Sequence, residues 1–271
     1  MHVALTIAGS DSGGGAGIQA DLKTFHQFGV FGTSAISAIT AQNTRGVFRW
    51  EAVSPQLLRA QIDAVAIDLA PAAVKSGMLA NEALVAVVAA ALRDNNLANY
   101  VLDPVMVATS GDLLIERSAV SAIRSALLPL ASIATPNADE AAVLTGQPVN
   151  DETGMRRAAQ EIFDLGAKAV LVKGGHINRG HGVVIDILYD GYFTVFSHSR
   201  LTTTSTHGTG CTLSAAIAAQ LATGCSVDES VSSAIDYVHA AIETAPGLGQ
   251  GHGPLNHFAG GSSSTKASTS D

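Results

Sequence analysis

The stretch Thr206–Ser214 holds the strongest candidate for chemistry in this sequence. It places Gly208 and Gly210 around Thr209, with Cys211 at the start of a predicted long helix. A Gly-x-Gly turn that leads into a helix N-terminus directs free backbone N–H groups at an incoming anion. The helix dipole adds partial positive charge, which favours the thiolate of Cys211. We therefore expect an anion site with a reactive thiol, although buried cysteines at helix starts are also common.

Two charged residues stand where predicted strands end. Asp103 follows the strand Tyr100–Leu102, and Lys173 ends the strand Ala169–Lys173. Ligands of open parallel sheets bind at the carboxyl ends of the strands. Lys173 is a cation that can reach a phosphate there, whereas a single carboxylate such as Asp103 is a weak signal by itself.

Asn137 and Glu140 permit two interpretations. Their i, i+3 spacing before an apolar run is typical of a capping box at a helix start. Alternatively, the two side chains organise a Mg²⁺ shell at the same sheet edge, since this ion prefers oxygen ligands. The spacing alone favours the cap, and one residue can serve both roles.

The glycine-rich stretch Gly9–Gly17 follows the apolar run His2–Ala8. Glycine allows positive φ and a close approach of backbone to a ligand. The stretch fits neither the G-x-G-x-x-G pattern of dinucleotide-binding turns nor the Gly-Lys-Ser/Thr ending of a P-loop. It is therefore either a ligand-binding loop of another kind or a plain strand-to-helix turn.

Strands and helices must alternate to position these residues. Short apolar strands separated by helical patterns indicate βαβ units and a largely parallel sheet. The Asp190-Gly191 pair between Val183–Tyr189 and Tyr192–Phe196 predicts a hairpin. The predicted helices include Glu82–Arg93, Ser118–Leu128, Asp139–Leu144, Thr153–Leu165, Cys211–Ala222 and Val227–Thr244.

Composition excludes several classes of protein. The 271 residues are 47% apolar and 14% charged, which is typical of a globular chain. The net charge is −8 without a basic run, so we expect no nucleic-acid binding. We also expect no membrane span, because no apolar run approaches about eighteen residues. Two cysteines and no signal peptide predict a cytoplasmic protein. We expect one domain, residues 1–258, and a flexible polar tail, residues 259–271.

Taken in order, the motifs resemble those of the hydroxymethylpyrimidine and phosphomethylpyrimidine kinases. Gly9–Gly17 with the following Ile18–Thr24 resembles the N-terminal signature of that family. The other matching segments are Ala41–Thr44, Ser76–Leu79, Leu102–Met106, Thr135–Asn137 with Glu140, Lys173–His176 and His207–Thr212. The resemblance implies a ribokinase-like fold, a three-layer αβα sandwich with a mostly parallel central sheet.

The resemblance also implies ATP, Mg²⁺ and phosphorylation of 4-amino-5-hydroxymethyl-2-methylpyrimidine, then of its monophosphate, in thiamine diphosphate biosynthesis. The resemblance further implies a homodimer. By this likeness Gln42 hydrogen-bonds the pyrimidine ring, Met78 and Val105 line its pocket, and Asp21 and Gly9 lie close to the substrate. The residues expected at ATP are Lys173, Asn137, Thr209 and Gly210, those at Mg²⁺ are Glu140 and Asp103, and those of the anion hole are Gly208, Gly210 and Cys211.

Cys211 departs from most ribokinase-like enzymes, which have an aspartate base at that position. We expect Cys211 to take the proton of the substrate alcohol or to polarise its hydroxyl group. The nearest alternative is a pyridoxal or pyridoxine kinase, in which an apolar Met tends to replace Gln42. Another is a regulatory nucleotide-binding protein without catalysis. Ala108–Asp112 is the candidate for a flap over the site.

Overall fold

The computed structural model describes residues 1–106, 116–175, 177 and 182–260. The proposed flap, His176 and most of the predicted tail lie outside these residues. The strands are β1 (Val3–Ser10), β2 (Phe31–Asn43), β3 (Gly46–Ala52), β4 (Ala73–Ser76), β5 (Tyr100–Leu102), β6 (Ile133–Ala134), β7 (Val170–Val172), β8 (Val183–Tyr189) and β9 (Phe193–Ser199). The helices are α1 (Gly17–Gln27), α2 (Pro55–Leu69), α3 (Glu82–Asp94), α4 (Arg117–Ala122), α5 (Ala138–Thr145), α6 (Glu152–Asp164), α7 (Thr209–Ala222) and α8 (Val227–Glu243).

The nine described strands form one sheet in the order β3-β2-β1-β4-β5-β6-β7-β8-β9. Its centre, from β2 to β7, is parallel, whereas β3, β8 and β9 pair antiparallel at the two edges. The mostly parallel sheet expected from the sequence is therefore confirmed. The hairpin at Asp190-Gly191 joins β8 to β9 as predicted.

Helices cover both faces of this sheet and make the expected three layers. Leu5 packs in one apolar cluster with side chains of α2 to α6, whereas the preceding Ala4 packs in another with α1, α7 and α8. Strands that are apolar on both faces read as continuous apolar runs, as the β1 sequence does. The core thus holds the strand ends rigidly in register.

One predicted helix differs from the structure. The expected helix Ser118–Leu128 is regular only in α4, and a wider π-helical turn, Ile123–Leu127, and a 3₁₀ turn, Leu128–Leu130, follow it. Pro129 has no backbone N–H and crowds the preceding turn, so a regular α-helix cannot continue through it. Among the described residues, no helix is long and apolar enough to cross a membrane.

Candidate active site

A cavity of about 660 Å³ lies along the carboxyl ends of the parallel strands. Ligands of open α/β sheets bind at this edge. Every site residue predicted from the sequence lines the cavity except Asp21. The lining residues in that set are Gly9, Gln42, Met78, Asp103, Val105, Asn137, Glu140, Lys173, Gly208, Thr209, Gly210 and Cys211.

The N-terminus of α7 forms the anion-binding end of the cavity. Gly208 caps this helix at a φ of 81°, and a side chain there would collide with the backbone oxygen of Gly15. Only glycine therefore fits the position. The first turn of an α-helix leaves N–H groups without partners inside the helix, which places those of Gly210 and Cys211 at the cavity wall.

Lys173 brings a positive charge to the same place. A Cβ atom on Gly210 would lie 3.2 Å from Lys173 Nζ. The ammonium also lies 3.2 Å from Asp103 Oδ1 and 4.0 Å from Glu140 Oε2. Burial would lower the pKa of Lys173, but the two carboxylates outweigh it and raise the pKa above its ordinary value. Lys173 is therefore a fixed cation beside the α7 N-terminus.

Asp103 links the strand edge to α7. Its Oδ2 accepts a hydrogen bond from the Ser214 hydroxyl at 3.2 Å, and its Oδ1 contacts Lys173. Burial would raise the pKa of Asp103, but the charges of Lys173 and Lys75 lower it below the ordinary value. Asp103 is thus a buried anion that a lysine and hydroxyl groups stabilise.

Asn137 and Glu140 form the capping box that their spacing predicts. Asn137 Oδ1 accepts from the Glu140 N–H at 2.9 Å, and Glu140 Oε2 accepts from the Asn137 N–H at 2.8 Å. Both residues also line the cavity, so the cap does not exclude a second role. Burial raises the pKa of Glu140 to about 7, with Asp103 adding to the shift and Lys173 opposing it.

The carboxylates of Asp103 and Glu140 fit a water-mediated Mg²⁺ site better than a protein cage. Among the described residues, no group of three His, Cys, Asp or Glu side chains could hold a metal ion. Mg²⁺ commonly keeps several waters and binds through one or two carboxylates together with substrate phosphates. The pKa of the Glu140 carboxyl is raised to about 7, and a nearby cation would favour its ionised form.

Cys211 differs from the expectation of a stabilised thiolate. Burial raises the pKa of the Cys211 thiol to about 11, and the nearby Lys75 and an N–H from Gly17 offset this only in part. Desolvation therefore outweighs these two favourable contacts, because burial removes the water that would stabilise the thiolate. At neutral pH the free protein holds Cys211 as a thiol that is partly exposed to the cavity.

Asp21, unlike the other predicted site residues, does not line the cavity. Its carboxylate is fully buried and accepts from Lys75 Nζ at 2.9 and 3.0 Å and from the Thr6 hydroxyl at 2.6 Å. Burial would lower the pKa of Lys75, but Asp21 outweighs it and raises the pKa well above its ordinary value. The pair is an internal ion pair behind the cavity wall.

Two residues that line the cavity, Asp11 and His207, were assigned no role from the sequence. Asp11 is nearly inaccessible, and three backbone N–H groups of the glycine-rich loop donate to its carboxylate. His207 Nε2 lies 2.8 Å from Asp11 Oδ2 and 3.3 Å from the Gln42 amide. A lone aspartate inside a glycine loop and a histidine directly before the Gly-x-Gly turn were the available signals.

A mostly parallel α/β sheet with a helix N-terminus, a fixed lysine and buried carboxylates at its edge defines a ribokinase-like small-molecule kinase. Known proteins agree. The sequence model of the family described as phosphomethylpyrimidine kinase matches residues 11–256. The chain belongs to the phosphomethylpyrimidine kinase family.

Relatives and solved structures agree with this placement. The hydroxymethylpyrimidine/phosphomethylpyrimidine kinase of Rhizobium meliloti is 54% identical over 94% of this chain and 97% of the relative. The phosphomethylpyrimidine kinase structure from Clostridium difficile is 42% identical, with a TM-score of 0.79, over 89% of this chain and all of that one. The pyridoxal kinase structure from Bacillus subtilis, an ADP complex, is 38% identical, with a TM-score of 0.88, over 96% of this chain and 98% of that one.

Proposed function

We propose that this protein transfers the γ-phosphoryl group of ATP to the hydroxymethyl group of 4-amino-5-hydroxymethyl-2-methylpyrimidine. A second transfer then converts the monophosphate to the diphosphate, in thiamine diphosphate biosynthesis. The observation that carries the proposal is that Gln42 and Cys211 line one cavity. A glutamine amide donates and accepts at once, which matches the amino group and ring nitrogen of an aminopyrimidine. The names of the curated relatives support this acceptor.

The ring would lie in the part of the cavity that Gly9, Met78 and Val105 line. A Cβ atom on Gly9 would lie 3.1 Å from Met78 Sδ, so a larger residue there would crowd the methionine. A thioether packs favourably against an aromatic ring. Gly9 therefore leaves space for a flat ring, and Met78 provides an apolar surface against which the ring can pack.

The phosphoryl group would lie between Lys173 and the N–H groups of Gly210 and Cys211. Phosphoryl transfer depends on positioning and on charge stabilisation more than on covalent chemistry. The alcohol oxygen attacks the γ-phosphorus as the bond to ADP breaks, and the alcohol proton passes to the thiolate form of Cys211. Since the pKa of this thiol is about 11, its thiolate is a strong base that is scarce at neutral pH.

We further propose that Mg²⁺ accompanies ATP and that Asp103, Glu140 and Asn137 hold its waters. Such an ion would supply positive charge to offset the charge that develops on the phosphate oxygens during transfer. Asn137 and Glu140 are fixed for this role by their capping box, and Asp103 by Ser214. The resemblance to the family is also the ground for proposing a homodimer, which the molar mass in solution tests.

A pyridoxal kinase is the second candidate, because solved pyridoxal kinase structures match this chain with TM-scores of 0.88. Both ring alcohols fit the same phosphoryl chemistry, so the acceptor side of the cavity must discriminate. Steady-state rates on the pyrimidine alcohol and on pyridoxal, at equal ATP and Mg²⁺, test the choice. We expect the larger kcat/KM for the pyrimidine, and a clear preference for pyridoxal would overturn the assignment.

A further inference from the structure

The side chains of Asp11, His207 and Gln42 form a chain of contacts on the cavity wall. His207 Nε2 lies 2.8 Å from Asp11 Oδ2. Burial would raise the pKa of Asp11, but the hydrogen bonds from His207 and Ala16 outweigh it and lower the pKa below its ordinary value. Asp11 is therefore ionised and can only accept hydrogen bonds. His207 Nε2 must then carry a hydrogen and donate it to Asp11.

This donor decides which end of the Gln42 amide faces His207. The amide nitrogen position lies 3.3 Å from His207 Nε2, and the amide oxygen position lies 3.3 Å from Thr40 Oγ1. With the amide in this direction, its NH₂ group faces the Nε2–H of His207, so two hydrogen-bond donors meet there. The Thr40 hydroxyl already donates its hydrogen to the Ser10 carbonyl at 2.7 Å, so it does not donate to the Gln42 oxygen as well.

The amide turned end for end removes this conflict. Its oxygen then faces the His207 Nε2–H as the second, longer acceptor of a hydrogen bond shared with Asp11, and its NH₂ group donates to the oxygen of Thr40. The two ends of a glutamine amide are assigned from their hydrogen-bond partners, so this direction is the physical one. Gln42 consequently presents an acceptor on its His207 side and a donor on its Thr40 side.

An aminopyrimidine has a donor, its amino group, next to an acceptor, its ring nitrogen. Only one way of laying the ring against Gln42 pairs both groups, and that choice also fixes where the neighbouring hydroxymethyl group points. We propose that His207, held by Asp11, is a positioning residue that sets the direction of the Gln42 amide and so orients the pyrimidine for phosphorylation. The proposal rests on the proposed function, since it concerns the same acceptor.

A double-mutant cycle tests the role, with His207→Phe, Gln42→Ala and the double variant assayed on the pyrimidine alcohol. Phenylalanine keeps a ring against Gly15, whose added Cβ would meet the histidine ring. We expect His207→Phe alone to raise the KM for the pyrimidine roughly tenfold, the scale of one lost hydrogen bond. The KM for ATP should stay unchanged. In the Gln42→Ala background, the same change should have no further effect.

Other outcomes overturn the positioning role. Additive effects of the two changes, or an equal rise of the KM for ATP, would show that His207 acts through the structure of the loop and not through Gln42. His252→Phe is the matched control, because this nearby histidine is exposed and lies outside the cavity. If His207→Phe does not fold, Asp11→Asn tests the same chain, with the same cycle against Gln42→Ala and the same expectation.

Wild-type protein in the same assay separates the two claims. A wild type that makes no phosphorylated pyrimidine overturns the proposed function and the positioning role with it. An active wild type, combined with additive effects in the cycle, overturns the positioning role alone.

Discussion

Lys75 Nζ lies 2.9 Å from Asp21 Oδ2, and neither side chain is exposed to solvent. Lys75 lies next to the last residue of β4, whose carboxyl end faces the cavity edge of the sheet. The charge of Lys75 lowers the pKa of both Asp103 and Cys211, against the effect of their burial. A buried residue pair that does not line the cavity thus contributes to the electrostatics of the site.

Breaking this pair should destabilise the fold strongly. Lys75→Met leaves the Asp21 carboxylate buried without its cation, which costs about 3–5 kcal/mol of unfolding free energy. Replacing both partners, as in Lys75→Met with Asp21→Leu, should restore most of that loss, because no buried charge then remains. Urea unfolding measures both. A single variant as stable as the wild type would contradict the ion pair.

Replacing Cys211 should separate the two phosphorylation steps. The alcohol must lose a proton in the first step, so Cys211→Ala should lower its kcat by roughly 10²-fold or more. The acceptor of the second step is a phosphate monoester, which is already largely ionised near neutral pH because its second pKa is about 6. That step should therefore change much less.

Separate assays that start from the alcohol and from the monophosphate measure this difference. Cys225→Ser is the control thiol, because Cys225 lies outside the cavity. Equal losses in both steps would assign Cys211 to phosphate binding, and near-normal turnover of the alcohol would remove its role as the base.

Neutralising Lys173 should slow both steps alike. Lys173→Gln removes the cation beside the α7 N-terminus, and losing one such stabilising group commonly costs about 10²–10³-fold in kcat. Lys168→Gln, at an exposed position just before β7 and away from its carboxyl end, should leave kcat unchanged. An unchanged kcat in Lys173→Gln would mean that this ammonium does not contact the transferred phosphoryl group.

His257 should make the fold sensitive to mild acid. Burial lowers the pKa of His257 to about 4, with Lys23 adding to the shift, and Thr212 Oγ1 lies 3.1 Å from its Nε2. The pKa in the folded state is lower than in the unfolded chain. As the pH falls from 6.5 towards 4, the unfolded chain therefore takes up a proton that the folded protein does not. Stability is lost over this window by at most about 1.4 kcal/mol per pH unit.

His257→Gln should flatten this dependence, because an amide can still bond to Thr212 but does not titrate. Thermal unfolding between pH 7 and 4 measures the difference, with the exposed His26 changed to Gln as the control. An equally steep loss of stability in His257→Gln would assign the acid sensitivity to other groups.

Much of the site could be predicted because its parts are local in the sequence. The Gly-x-Gly turn before α7, the capping box of Asn137 and Glu140, and the charges at strand ends are each written in a few neighbouring residues. The parallel sheet then brings them to one edge. Asn137 and Lys173, for example, form a parallel bridge although the sequence separates them widely.

The remaining features depend on partners that are distant in the sequence. The family resemblance placed Asp21 close to the substrate, and its position in α1 does not reveal its partner Lys75 on β4. Only a charged residue inside the apolar run of β4 hinted at an internal partner. Asp11 and His207 meet across 196 positions of the chain, so no local pattern predicts their contact. The raised pKa of Cys211 follows from burial, which only packing determines.

The identity of the products tests the central claim most directly. Purified protein would be incubated with ATP, Mg²⁺ and 4-amino-5-hydroxymethyl-2-methylpyrimidine, and its products identified by mass spectrometry over time. We predict a monophosphate that appears first and a diphosphate that follows, with matching release of ADP. ATP bound without any phosphorylated pyrimidine would contradict the account.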